Sequence, residues 1–87
     1  MNTKIAVVTG PCGGIGSAIT AQLISDGLHV IGLDIKQSQL DEMSEKYGAD
    51  FTPIAIDLTD AKAITQAFSE IAKSFGGVDA LVNNVGN

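Results

Sequence analysis

Eight residues, Thr9-Gly10-Pro11-Cys12-Gly13-Gly14-Ile15-Gly16, follow the apolar run Ile5-Ala6-Val7-Val8 and open a helical pattern from Ser17 to Ser25. A strand, a glycine-rich turn and a helix start in that order form a site for the pyrophosphate of a nucleotide. Glycine permits a sharp turn and lets the backbone approach phosphate oxygens with no Cβ in the way. The helix start adds unpaired N–H groups and the positive end of its dipole. Gly16 is spaced to let the helix pack closely against the strand. A plain tight turn between a strand and a helix would use the same residue types, so the octet needs support from elsewhere in the chain.

A second apolar run, Leu28-His29-Val30-Ile31-Gly32-Leu33, ends on Asp34, eighteen positions beyond Gly16. This is near the spacing at which an acidic residue closing the second strand reaches an adenosine ribose. A carboxylate there accepts hydrogen bonds from ribose hydroxyls and repels a 2′-phosphate, so the expected cofactor is NAD rather than NADP. The simpler alternative makes Asp34 a strand-end residue that starts the next turn. Asp57-Leu58 and Asn83-Asn84-Val85-Gly86 close two further runs. Asp57 is a candidate acceptor for the adenine amino group, with Leu58 as an apolar edge. Alternatively, Asp57 begins the next helix start, with Thr59 or Asp60 as the cap. Asn83 and Asn84 can tie strand ends together and Gly86 leaves room for a ribose, though a plain polar loop has the same composition.

The elements that must position these residues are legible as alternating patterns. Ile5 to Thr9, Leu28 to Leu33, Phe51 to Ile56 and Val78 to Val82 are near-continuous apolar runs, as buried parallel strands are. Between them, Ile15, Ile19 and Leu23 share one helical face, and Leu40, Met43 and Tyr47 share another, with Ser38 as the expected N-cap. Ile64, Ala67, Phe68, Ile71, Ala72 and Phe75 form the clearest helical stripe. Gly27, Gly48 and Gly76-Gly77 punctuate the helix ends. The series βαβαβαβ predicts a Rossmann-like three-layer α/β/α fold with a four-stranded parallel sheet of order 3-2-1-4. A crevice opens between strands 1 and 4, where the order reverses.

Composition narrows the function further. The 87 residues make one small domain, in a size range that buries only about 60% of its unfolded surface. A formal charge of −5 argues against nucleic acid or an anionic membrane as partner. Bound phosphate must therefore be held by backbone N–H groups. The single cysteine excludes an intrachain disulfide and a multi-cysteine metal site. No apolar stretch approaches membrane-spanning length, and Met1-Asn2-Thr3-Lys4 shows no signal-peptide pattern, so a cytoplasmic location is expected. Cys12 sits where a helix start can lower a thiol pKa, although without a resolving cysteine it reads as a bystander. His29 reads as a packed mid-strand residue, and Tyr47 and the phenylalanines as core.

Taken together these residues resemble the short-chain dehydrogenases/reductases. T-G-P-C-G-G-I-G is similar to the family's T-G-x-x-x-G-I-G turn, and Gly77-Val78-Asp79-Ala80-Leu81-Val82-Asn83-Asn84-Val85-Gly86 is similar to its G-x-x-D-x-L-V-N-N-A-G segment. The resemblance covers the whole chain in order. It implies that Gly10, Cys12, Gly13, Gly14, Ile15 and Gly16 form the pyrophosphate turn and that Asp34 lies on the ribose. It likewise implies Asp57 and Leu58 at the adenine, and Asn84, Val85 and Gly86 beside the nicotinamide-side ribose. Val85 departs from the family's usual alanine and adds bulk near the cofactor.

The same resemblance implies a catalytic serine and a Y-x-x-x-K pair downstream of N-N-A-G, where a proton donor of lowered pKa is needed. Tyr47, the only tyrosine, is followed four positions later by Phe51, and the chain stops at Asn87. The expectation is residues 1–87 as a truncated dinucleotide-binding half-domain of an oxidoreductase, with no catalytic residue of its own. The alternative is a non-catalytic nucleotide-binding or assembly module that completes its sheet with a partner. A different Rossmann enzyme, such as a methyltransferase, fits the N-N-V-G segment poorly. Strand 4, open on one side, makes a homo-oligomer through that edge the expected assembly.

Overall fold

Ile5-Ala6-Val7-Val8-Thr9 is apolar on both faces, and all five residues are buried as β1 (Ile5–Thr9), the most enclosed strand of the sheet. The computed structural model describes residues 3–84. The other elements are α1 (Gly14–Ser25), β2 (His29–Asp34), α2 (Gln37–Tyr47), β3 (Phe51–Ala55), α3 (Ala61–Phe75) and β4 (Ala80–Asn83). A single 3-10 turn, Gly48–Asp50, joins α2 to β3. The sheet has the order β3-β2-β1-β4 and every pairing is parallel.

Alternation along the strands divides the core into two layers. Ile5, Val7, Ile31 and Leu33 face α3, where Ile71 and Phe68 pack against them. Val8, Val30 and Phe51 face the opposite way, toward Leu40, Met43 and Tyr47 of α2 and Leu23 and Ile24 of α1. Asp60 caps α3, its carboxylate accepting from the amides of Lys62 at 3.0 Å and Ala63 at 3.2 Å. No described helix is long and apolar enough to cross a membrane.

The boundaries differ from the pattern-based expectation for definable reasons. β4 starts at Ala80 rather than Val78, and it ends on Asn83. Asp79 uses its side chain to accept from the Ile5 amide at 2.7 Å and donates its own amide to the Ile5 carbonyl at 2.8 Å, so it clamps the strand end. β2 begins at His29 and includes Asp34, while β3 stops at Ala55. α1 begins at Gly14, a turn earlier than Ser17.

Ser38 is not the N-cap of α2: that position is Lys36, and Ser38 lies inside the first turn. Asp34 takes the amides of Ile35 and Lys36 at 2.8 and 3.2 Å, which turns the chain early. Nor do Ile15, Ile19 and Leu23 form one buried stripe, because Ile15 is 71% exposed on the first turn of α1. Phe75, expected in the core, is 36% exposed and stacks on His29 with 5.2 Å between ring centroids. His29 opens β2 rather than occupying its middle, and its Nε2 lies 2.7 Å from the Thr52 hydroxyl.

Candidate nucleotide-binding site

Gly10 follows β1 with φ +68, a conformation that turns the chain sharply and that side chains disfavour. Its amide donates to the Leu33 carbonyl of β2 at 2.9 Å. Pro11, fully buried, brings no N–H to the turn. The Cys12 amide donates to Asp34 Oδ2 at 3.3 Å, and the Gly13 amide to the Gly10 carbonyl at 3.5 Å. Gly13 is the N-cap of α1, and the first helical bond runs from the Ser17 amide to its carbonyl at 2.8 Å.

The amides of Gly14, Ile15 and Gly16 therefore make no hydrogen bond within the described residues, and no acidic side chain lies in this first turn. Three aligned donors at a helix start are the chemistry an anion requires. The turn thus divides its labour. Gly10, Cys12 and Gly13 commit their amides to shaping the loop, and those of the next three residues stay without a partner among the described residues.

Gly16 is where the helix meets the strand. A Cβ there would run into the Gly10 carbonyl oxygen and lie 2.7 Å from Asn84 Nδ2. That side-chain amide donates to the Gly10 carbonyl at 3.0 Å. Thr9 links the same strands: its hydroxyl lies 2.9 Å from Asn83 Oδ1, to which it donates, and it accepts from the Asn84 amide at 3.0 Å. Asn83 and Asn84 do tie strand ends together. Thr9, the hub of this network, had no role in the sequence reading, although a hydroxyl closing a buried strand was its visible signal.

Asp34 is only 7% exposed and faces the turn from the end of β2. Its three backbone partners, Cys12, Ile35 and Lys36, satisfy a carboxylate that would otherwise be costly to bury. The Cys12 thiol is pushed up to about 11, first by burial and then by the charge and hydrogen bonding of Asp34. The helix start does not activate it. Lys36, two residues beyond Asp34, is exposed.

Asp57 is exposed, and its Oδ1 accepts from the Thr59 hydroxyl at 2.6 Å and the Thr59 amide at 2.9 Å. Those bonds hold its carboxyl below the usual carboxylate range. They form a turn leading to the Asp60 cap, and Oδ2 makes no hydrogen bond among the described residues. Leu58 is half-buried and shares a cavity of about 280 Å³ with Thr9, Ile64, Phe68, Leu81 and Asn83. Val85 and Gly86 lie outside the described residues. No group of His, Cys, Asp or Glu suited to a metal occurs among the described residues.

Comparison with known proteins covers the same span. The family model for short chain dehydrogenases matches residues 4–87. The chain is similar to farnesol dehydrogenase of Aedes aegypti, with 39% identity over 87 residues, covering 95% of this chain and 36% of that protein. It is also similar to the NADPH-dependent 3-dehydrocapnine reductase of Ornithobacterium rhinotracheale, at 40% identity over 85 residues, covering 95% of this chain and 30% of that protein. A solved short-chain dehydrogenase/reductase of Saccharomyces cerevisiae superposes with a TM-score of 0.87 at 32% identity, over 97% of this chain and 34% of that one. The chain spans about a third of the length of these relatives.

Proposed function

The chain belongs to the short-chain dehydrogenase family, and we propose that it forms the NAD-binding part of an oxidoreductase that moves hydride between a nicotinamide and an alcohol or carbonyl substrate. The observation that carries this reading is a juxtaposition. Three unpartnered amides, those of Gly14, Ile15 and Gly16, open α1 beside the buried carboxylate of Asp34.

In this reading those amides hold the pyrophosphate, and the bare Cα of Gly16 lets the helix start lie close against the turn. Asp34 accepts from the adenosine ribose, while Leu58 and Asp57 bound the adenine. Asn84 holds the turn from the β4 side, and Val85 and Gly86 complete the nicotinamide side. When bound, the dinucleotide supplies or accepts the hydride. No tyrosine–lysine pair at the Y-x-x-x-K spacing occurs in these residues, so we assign the proton transfer to groups outside them.

The preference for NAD over NADP rests on Asp34, because a 2′-phosphate would meet its buried negative charge. Lys36 is exposed, and its ammonium is a point charge without the planar fork an arginine offers a phosphate. Titration with NADH and NADPH tests the assignment: tighter NADH binding is expected, and equal or tighter NADPH binding removes Asp34 from the ribose.

One observation favours a second reading, a non-catalytic module that completes its sheet with another copy. β4 pairs with β1 on one side and with nothing on the other among the described residues, and its Leu81 is 57% exposed. An antiparallel pair of β4 strands across a two-fold axis would join two sheets without opposing like charges, since Ala80 to Asn83 carries none.

A further inference from the structure

The glycine turn is tethered to β2 at three successive residues. Gly10 donates its amide to the Leu33 carbonyl at 2.9 Å. The buried ring of Pro11 lies over Gly32, where a Cβ would come within 2.8 Å of Pro11 Cγ. The third tether, from the Cys12 amide to Asp34 Oδ2 at 3.3 Å, is the only one that depends on a polar side chain. Asp34 Oδ1 is itself held by the amides of Ile35 and Lys36, so the carboxylate is fixed from its own strand before it reaches across.

We infer that Asp34 is a positioning residue for the phosphate turn as well as a ribose acceptor, acting through the Cys12 amide. The inference rests on the nucleotide reading above and deepens it. Cys12 lies two residues before Gly14, the first of the three open amides, so its direction sets theirs. A carboxylate has about four acceptor sites, and three are filled by backbone here; the fourth, which the Cys12 thiol faces, is the one a ribose hydroxyl would take while the tether stays intact. The ribose and phosphate subsites thus share one side chain.

This role opposes the simple electrostatic expectation, which makes the two separable. A negative charge beside a phosphate site disfavours anions, so deleting it should strengthen the binding of a bare anion. If Asp34 also holds the turn, deleting it should weaken that binding. Asp34→Asn removes the charge and keeps one acceptor oxygen for the Ile35 and Lys36 amides, which leaves an NH2 donor facing the Cys12 amide and breaks the tether, and Asp34→Ala removes both oxygens. Asp34→Ser retains a hydroxyl for the Ile35 and Lys36 amides but is one atom too short for Cys12, so it spares the local turn if the alanine variant does not fold.

The test is a titration of the isotopically labelled 87-residue chain with inorganic pyrophosphate, following the amides of Gly14, Ile15 and Gly16. Hydrogen exchange at the Cys12 amide is measured without ligand. The expected result is a wild-type response, weakened roughly tenfold in Asp34→Asn, Asp34→Ala and Asp34→Ser, as loss of a charge-assisted bond implies. Cys12 should be protected in the wild type and unprotected in the three variants. Pyrophosphate binding that is unchanged or tighter in Asp34→Ala or Asp34→Ser overturns the inference while leaving the nucleotide reading intact. An unprotected Cys12 amide in the wild type overturns it also. A wild type that ignores pyrophosphate with Cys12 protected rejects the phosphate site itself, and this inference with it.

Discussion

The side-chain amide of Asn84 donates to the carbonyl oxygen of Gly10 over 3.0 Å, across 74 positions of sequence. The bond joins the turn after β1 to the residue that follows β4. Gly16 packs against both partners, so the glycine turn, the helix start and the end of β4 meet at one close-packed joint.

That joint makes Gly16 intolerant of any side chain. Gly16→Ala puts a methyl against the Gly10 carbonyl of the turn and 2.7 Å from Asn84 Nδ2 at the end of β4. A loss of roughly 1–3 kcal/mol is expected from overpacking, together with loss of nucleotide binding. Denaturant unfolding and NADH titration check the two effects. A variant with unchanged stability would show that helix and strand are further apart than this.

Thr9→Val tests the hub of the strand-end network. The change preserves shape but leaves Asn83 Oδ1 without its donor and the Asn84 amide without its acceptor. A cost of roughly 1–3 kcal/mol is expected for such unpaired groups. Thr9→Ser should recover most of it, because the hydroxyl returns. Chemical denaturation of both variants is the measurement, and equal losses in both would assign the effect to packing instead.

Cys12 should be slow to alkylate at neutral pH. Its thiol is raised from 9.0 to about 11, so iodoacetamide reactivity in the folded chain should climb only as pH nears that value. The sign for stability follows. Between pH 9 and about 11 the unfolded thiol ionises while the folded one keeps its proton. The folded state then binds more protons, and the contribution, present in full below the unfolded value, is lost as pH rises through the folded one. Rapid alkylation at pH 7 in conditions that preserve the fold would contradict this placement.

The open side of β4 predicts association. Sedimentation across a dilution series should show dimers or larger species, and Leu81→Lys should shift them toward monomer by charging the exposed edge. A concentrated monomer whose β4 amides resist exchange would mean that the edge is already covered.

Much of this architecture was legible in the residues alone. Near-continuous apolar runs identified four parallel strands, the helical stripe from Ile64 to Phe75 identified α3, and the glycine spacing after β1 located the turn. These are local patterns, written in composition and period, and the order β3-β2-β1-β4 follows from them and the rules of crossover.

Contacts between distant residues had no such trace. Asp34 gripping the Cys12 amide 22 positions away, Asp79 delaying the start of β4 through the Ile5 amide and Thr9 joining Asn83 to Asn84 each pair groups that no periodicity relates. Ile15 reads as apolar and core-facing, yet its place on the first turn of α1 leaves it 71% exposed. Residue types and spacing determined which elements form and where the glycine turn meets a helix start. Tertiary structure decided which amides of that turn remain open, because a buried polar group takes whichever partner the fold brings within reach.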